Sequence, residues 1–278
     1  MTDDLDALLG GAAVRHGHRE VTAAGRARLD AALAALPAPG PYEGPGARLP
    51  SRAGVRDLLL GGRDHYAVDR LAAAELGVVW PDIARAAAAL RAAVHATARH
   101  AVGGLGIRQV LVADYGYPTV GTSGPDLHTT VLRASPDANV VYLEPDPVAA
   151  AVLRAEAERR GSVTVLRADL AADPAGVLRR AVGDLGRPVC VLLPEALSRA
   201  GAPERIARVL ARALVPGSVV MAAGPDDIPA VRRAAEVAAR HLLPFHPRTT
   251  ADLRALLGAA GLTWLEQGPL CVVGVRRV

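Results

Sequence analysis

Residues 109–118 read Gln-Val-Leu-Val-Ala-Asp-Tyr-Gly-Tyr-Pro. An uncharged, largely aliphatic run is stopped by an acid, a glycine and a proline. Such a run predicts a short strand buried on both faces, followed by a turn. The pattern returns at Asn139–Leu143, Ser162–Leu166, Val189–Leu193 and Gly217–Ala222. Helical segments fit between these runs, at Pro125–Ala134, Pro147–Arg160, Pro174–Leu185, Pro203–Leu214, Pro229–Leu242 and Thr250–Ala260. Most open on proline, whose missing N–H costs nothing in a first turn. Alternation of this kind predicts an α/β fold with a parallel, doubly wound sheet covered on both faces. The last two runs, Leu262–Leu265 and Leu270–Val275, are separated only by Glu266-Gln267-Gly268-Pro269. That spacing is too short for a crossover helix, so a C-terminal antiparallel hairpin is expected.

Upstream of this region the period changes. Residues 84–102 form a long Ala-rich helical run ending at Gly103-Gly104, within a helical block that starts near Ser51. Residues 37–46 read Pro-Ala-Pro-Gly-Pro-Tyr-Glu-Gly-Pro-Gly, a linker that cannot hold regular structure. Leu29, Leu33 and Leu36 recur at helical spacing ahead of it. The expected organisation is an N-terminal helical extension with linker at 1–46, a helical cap at 47–104 and a Rossmann-like domain at 105–278.

Composition narrows the class. The 278 residues are 51% hydrophobic and 22% charged, enough apolar material for a core and inconsistent with global disorder. Aromatics are only 3%, so that core must be built from Ala, Val and Leu. The absence of lysine fits the codon bias of a GC-rich genome. The net charge of +4 comes from dispersed arginines, not from a basic stripe, so no nucleic-acid partner is expected. No run is long enough to cross a membrane and no leader is visible, so a cytoplasmic protein is expected. Cys190 and Cys271 lie in apolar runs and read as buried thiols of a reducing compartment. His16-Gly17-His18 lacks a third ligand, so no metal is expected. Ser198 lacks a nucleophile elbow, and no P-loop or G-x-G-x-x-G is present.

The chemistry-bearing residues fall at the carboxyl ends of the strands, where open α/β sheets bind ligands. After the first strand come Asp114, Tyr115, Gly116, Pro118 and Thr119, with Gly116 allowing backbone to approach a ligand. The second strand ends in Glu144-Pro145-Asp146; a carboxylate there can accept both hydroxyls of a ribose. Asp146 also has the position of a helix cap. The third strand leads to Asp169-Leu170, where the acid can accept from an adenine amine. Tyr115 and Tyr117 could flank a ligand or pack against the N-terminal helices.

Residues 54–70, Gly-Val-Arg-Asp-Leu-Leu-Leu-Gly-Gly-Arg-Asp-His-Tyr-Ala-Val-Asp-Arg, resemble the R-V-Y-D-Y-L-L-G-G-K-D-N-F-x-x-D-R block of a family of S-adenosyl methyltransferases from GC-rich bacteria. Gly106-Ile107-Arg108-Gln109-Val110-Leu111 and Pro118-Thr119, Ala138–Pro147, Ala168–Pro174 and Leu214-Val215-Pro216-Gly217-Ser218 resemble further family segments. The L-L-G-G-[KR]-D block is the specific one, and the likeness spans about residues 50–275. It implies a class I methyltransferase sheet, S-adenosylmethionine as cofactor, a small-molecule acceptor, and leaves a homodimer open. On that basis Asp114, Tyr115, Gly116, Pro118, Thr119, Glu144, Pro145, Asp146, Asp169 and Leu170 are expected to bind cofactor. Arg63 and Asp64 are expected at the substrate, and His65, Tyr66 and Glu195 are the catalytic candidates. The chain departs from the family where Val112 replaces an acid, Asp114 replaces a glycine, and Pro194–Arg199 replaces the segment after strand four. Those departures keep a second reading open, a catalytically silent relative that binds a ligand or a partner.

Overall fold

The computed structural model describes residues 49–118, 124–157, 162–267 and 271–275. The expected extension and linker at 1–46, the His16-Gly17-His18 pair and Thr119 lie outside the described residues. The chain enters through three helices, α1 (Arg52–Leu59), α2 (Ala67–Val79) and α3 (Ile83–Arg99). Ser51 starts α1 by accepting from the Gly54 N–H at 2.9 Å. A π-helical turn, His100–Gly104, ends α3, and the Leu105 N–H reaches back to the His100 carbonyl at 3.1 Å.

There follow β1 (Gln109–Ala113), α4 (Leu127–Ala134), β2 (Asn139–Leu143), α5 (Pro147–Ala157), β3 (Val163–Leu166), α6 (Pro174–Ala181) and β4 (Val189–Leu193). A single turn α7 (Ala196–Arg199), α8 (Pro203–Ala213), β5 (Val219–Ala223), α9 (Pro229–Arg240), α10 (Thr250–Ala259), β6 (Thr263–Gln267) and β7 (Cys271–Val275) complete the order. The sheet order is β3-β2-β1-β4-β5-β7-β6. Strands β1 to β5 pair in parallel, and β7 lies antiparallel to both β5 and β6, with a register shift between Trp264 and Glu266. The connections reverse direction between β1 and β4, so a crevice opens at the carboxyl ends of these central strands.

β4 and β5 are buried at every residue, as uninterrupted apolar runs require. Alternate residues feed two separate cores. Leu111, Leu143, Leu193 and Val220 pack against α6, α8 and α10 through Leu178, Ile206, Leu210 and Leu257. Val110, Tyr142, Leu192 and Met221 pack against α3, α4 and α5 through Val94, Leu127 and Leu153. A third cluster joins the entry helices to α9, with Val55, Leu76 and Ile83 against Val237 and Leu243. This cluster anchors α1 to α3 beside the crevice. Among the described residues, no helix is long and apolar enough to cross a membrane.

Candidate functional site

Two cavities meet along α1. The first, of about 230 Å³, lies at the carboxyl ends of β1 and β2 and is lined by Asp114, Gly116, Glu144, Pro145 and Asp146. The second, of about 110 Å³, is largely apolar and lies between the entry helices, α7 and the segment after α9. Arg52, Arg56 and Leu243 belong to both walls.

The turn after β1 has an unusual backbone. Asp114 has φ +57 and Gly116 has φ +82, both in the left-handed region. Gly116 suits that conformation, and a side chain there would also press on Ala53 and Arg56. Asp114 tolerates it better than most residues, at a cost of about 1–2 kcal/mol. The strain is held from three sides. The Asp114 N–H donates to the Leu143 carbonyl at 2.9 Å. Arg56 Nη1 donates to the Asp114 carbonyl at 2.5 Å and to the Tyr115 carbonyl at 2.7 Å, while its Nη2 holds Glu195 at 2.5 Å. Arg199 grips the Asp114 carboxylate through Nε at 3.2 Å and Nη2 at 3.1 Å.

The same Arg199 also holds Asp169, through Nη1 at 3.0 Å and Nη2 at 2.7 Å. The two acids respond differently. Burial raises the Asp114 pKa despite Arg199, whereas the bonds to Arg199 lower that of the more exposed Asp169. Glu144 is 4% exposed. Its Oε2 accepts from the Gly116 N–H at 2.9 Å and its Oε1 from the Asp146 N–H at 3.2 Å. Burial, reinforced by the Asp114 charge, raises its pKa to about 7. Each oxygen keeps a lone pair, so both can still accept from neighbouring hydroxyls.

The cofactor candidates therefore separate. Asp114, Gly116, Glu144, Pro145 and Asp146 share one cavity wall. Asp146 also caps α5, accepting from the Val148 and Ala149 N–H groups at 2.8 and 3.1 Å. Asp169 reaches this group only through Arg199. Leu170 is core, packed in the cluster under α6 and α8. Tyr115 is also core: its ring lies 5.3 Å from that of Tyr142, its hydroxyl meets His95 Nε2 at 3.2 Å, and burial pushes its pKa to about 12. Tyr117 and Pro118 are buried, Tyr117 against Ala53 and Ala149, and neither belongs to either wall.

Of the catalytic candidates, Glu195 lines the apolar cavity, and His65 and Tyr66 line neither. The reason lies in the loop between α1 and α2, which closes on two buried carboxylates. Asp57 accepts from the Asp64 N–H at 2.7 Å and lies 3.0 Å from His65 Nδ1. Asp69 accepts from the N–H groups of Ser51 and Tyr66, each at 2.7 Å. His65 is thus turned toward Asp57, and Arg63 and Asp64 are exposed outside both walls. A side chain at Gly62 would collide with Asp57, so glycine is required where the chain crosses that carboxylate.

The sequence reading missed Arg52, Arg56 and Arg199 as site residues. Arg52 and Arg56 are one helical turn apart, a spacing that puts both on one face of α1. No comparable signal points to Arg199, whose partner Asp114 is 85 residues away. No group of three or more potential metal ligands occurs among the described residues.

Comparison with known proteins agrees with this geometry. Residues 46–275 match the model of a family described as S-adenosyl methyltransferase. No curated protein matches the chain. A provisionally described methyltransferase from Thermobifida fusca YX is 25% identical, with a TM-score of 0.76 over 85% of this chain and 99% of that one. A DUF574 family protein from Streptomyces avermitilis MA-4680 is 24% identical, with a TM-score of 0.69 over 82% of this chain and 98% of that one, and shares the fold.

Proposed function

The chain belongs to the S-adenosyl methyltransferase family, and from that premise we propose that it is an active S-adenosylmethionine-dependent methyltransferase of small molecules. The observation that carries this reading is the pair of cavities sharing Arg52, Arg56 and Leu243. One, at the strand ends, has Asp114, Glu144 and Asp146 in its wall; the other is apolar, with Glu195 in its wall. A transferase needs such adjoining sites, because its main task is to align an acceptor with an already activated group.

The residues present suit the cofactor. Glu144 offers two buried oxygens with spare lone pairs beside a glycine turn, which fits the vicinal hydroxyls of a ribose. Asp169 would take the adenine amine and Asp114 the methionine ammonium, each after Arg199 turns aside. Bound there, S-adenosylmethionine supplies a methyl group already activated by the sulfonium charge. The chain's own part is positioning. Arg56 fixes the Asp114–Tyr115 backbone and orients Glu195, which is placed to receive a proton from an acceptor hydroxyl. On this reading 47–104 is a cap that shapes the acceptor cavity and 105–278 is the cofactor-binding domain. The protein works in the cytoplasm, and size-exclusion chromatography decides between a monomer and a homodimer.

Titration of the purified protein with S-adenosylmethionine and S-adenosylhomocysteine tests the proposal. Micromolar binding of either is expected. A well-folded sample that binds neither would overturn it and favour the silent relative.

A further inference from the structure

The apolar cavity has a polar end whose bonding is unequal. Val55, Leu59, Leu76, Trp80, Ile83 and Phe245 contribute hydrophobic wall. An apolar protein cavity of about 150 Å³ holds a benzene molecule. A space of about 110 Å³ that opens toward a second cavity therefore suits one ring-sized group.

Three guanidiniums stand at the polar end. Arg56 is committed to two carbonyls and Glu195, and Arg199 to Asp114 and Asp169. Arg52 differs. It donates to the Pro244 carbonyl, and among the described residues it forms no ion pair with any carboxylate. Burial lowers its pKa, with Glu195 opposing that effect. A guanidinium has five N–H donors in a fork that matches a carboxylate. Ser198 Oγ is buried in the same wall and has no hydrogen-bond partner among the described residues. Buried polar groups are normally satisfied, so an orphan in a cavity wall points to a ligand atom. A cation would meet three arginines here, and a neutral ligand would leave the Arg52 fork half used.

We propose that this cavity binds a ring-sized carboxylic acid, its ring against Leu76, Trp80 and Phe245 and its carboxylate on Arg52. That this acid is the methyl acceptor rests on the function proposed above; that the acid binds does not. Arg52 also lines the cavity at the strand ends, so the carboxylate it receives could instead be that of the cofactor's methionine end, and the test separates the two.

Benzoate, benzamide and benzylamine are titrated into the full chain without cofactor, by calorimetry and ligand-observed NMR. Benzoate is expected to bind at least tenfold more tightly than benzamide, with no binding of benzylamine. Arg52→Gln is expected to weaken benzoate at least tenfold while leaving the affinity ratio of S-adenosylhomocysteine to 5′-methylthioadenosine unchanged. Ala87→Leu, which puts a larger side chain into the cavity from α3, is expected to abolish benzoate binding with an unchanged circular dichroism spectrum. Failure of benzoate to bind, or equal binding of the three probes, would overturn the proposal. So would an Arg52→Gln variant that keeps benzoate but loses the preference for S-adenosylhomocysteine, since Arg52 would then serve the cofactor. Benzoate binding without S-adenosylhomocysteine binding would leave this site standing while the proposed transferase falls, and the reverse would do the opposite.

Discussion

Two regions of this molecule each hold a pair of carboxylates, and they hold them in different ways. Asp57 in α1 and Asp69 in α2 take their hydrogen bonds largely from backbone N–H groups, those of Asp64 for the first and of Ser51 and Tyr66 for the second. At the carboxyl ends of β1 and β3, Asp114 and Asp169 take theirs largely from one side chain, Arg199. A backbone donor cannot leave without unfolding its segment, whereas a guanidinium can rotate away and be replaced by a ligand. The first arrangement is architecture. The second is exchangeable, as a binding site must be.

The contrast is open to direct attack. The largest effect is expected at Asp69, where Asp69→Ala removes two hydrogen bonds to a charged group, each worth about 1.5–3 kcal/mol. A stability loss of about 3 kcal/mol or more should appear in urea denaturation. A change below about 1 kcal/mol would place Asp69 among the dispensable acids.

Arg199→Ala should cost less, about 2 kcal/mol, because the pair keeps some contact with water and fully buried pairs lose about 3–5. Its distinguishing result is a gain, with tighter S-adenosylhomocysteine binding by titration. Loss of both stability and affinity would make Arg199 a direct ligand contact. Asp114→Gly should change stability by no more than about 1 kcal/mol, since relief of the positive φ offsets loss of the ion pair. It should weaken S-adenosylhomocysteine binding, because the carboxylate proposed for the methionine ammonium is gone; tighter binding would show that the Asp114 side chain obstructs the ligand instead.

The smallest effect is a pH dependence. Glu144 has a folded pKa of about 7, above the ordinary 4.5. Between those values the folded state holds a proton that the unfolded state has released. The Glu144 contribution to stability is therefore full below about pH 4.5 and is lost as pH rises through about 7. Ribose binding favours the ionised form, so nucleoside affinity should rise about tenfold from pH 6 to pH 8, a slope that Glu144→Gln should abolish. A wild-type affinity that is flat over this range would remove Glu144 from the site.

Much of the frame was legible in the chain. β1, β2 and β4 fall on the residues of their apolar runs, and α6, α8 and α9 begin on the prolines that mark their first turns. These signals are local, so composition and period suffice to read them. Glu144 was legible too, because its place at the end of β2 follows from the fold order. The arginines were not. Arg56 meets Glu195 across 139 positions and Arg199 meets Asp114 across 85, and no local pattern encodes such pairings. The Leu59-Leu60-Gly61-Gly62-Arg63-Asp64 block has a packing role that its sequence does not announce. Within it Gly62 is crowded by the buried Asp57 carboxylate, and His65 and Tyr66 pair with Asp57 and Asp69 and line neither cavity. Asp114 and the 194–199 segment, read separately as departures from the family pattern, turn out to be partners through Arg199.

The Arg199 fork has a consequence in time as well as in energy. If Asp114 and Asp169 hold the cofactor as proposed, the Arg199 fork that spans them withholds both acids, and only the fraction of molecules with the fork released is competent there. The apparent dissociation constant is then the intrinsic one divided by that fraction. Rapid-mixing traces should show a binding rate that climbs with nucleoside concentration and then levels off at a ceiling. That ceiling would be a clock set by the breaking of one ion pair, the same whichever nucleoside is added.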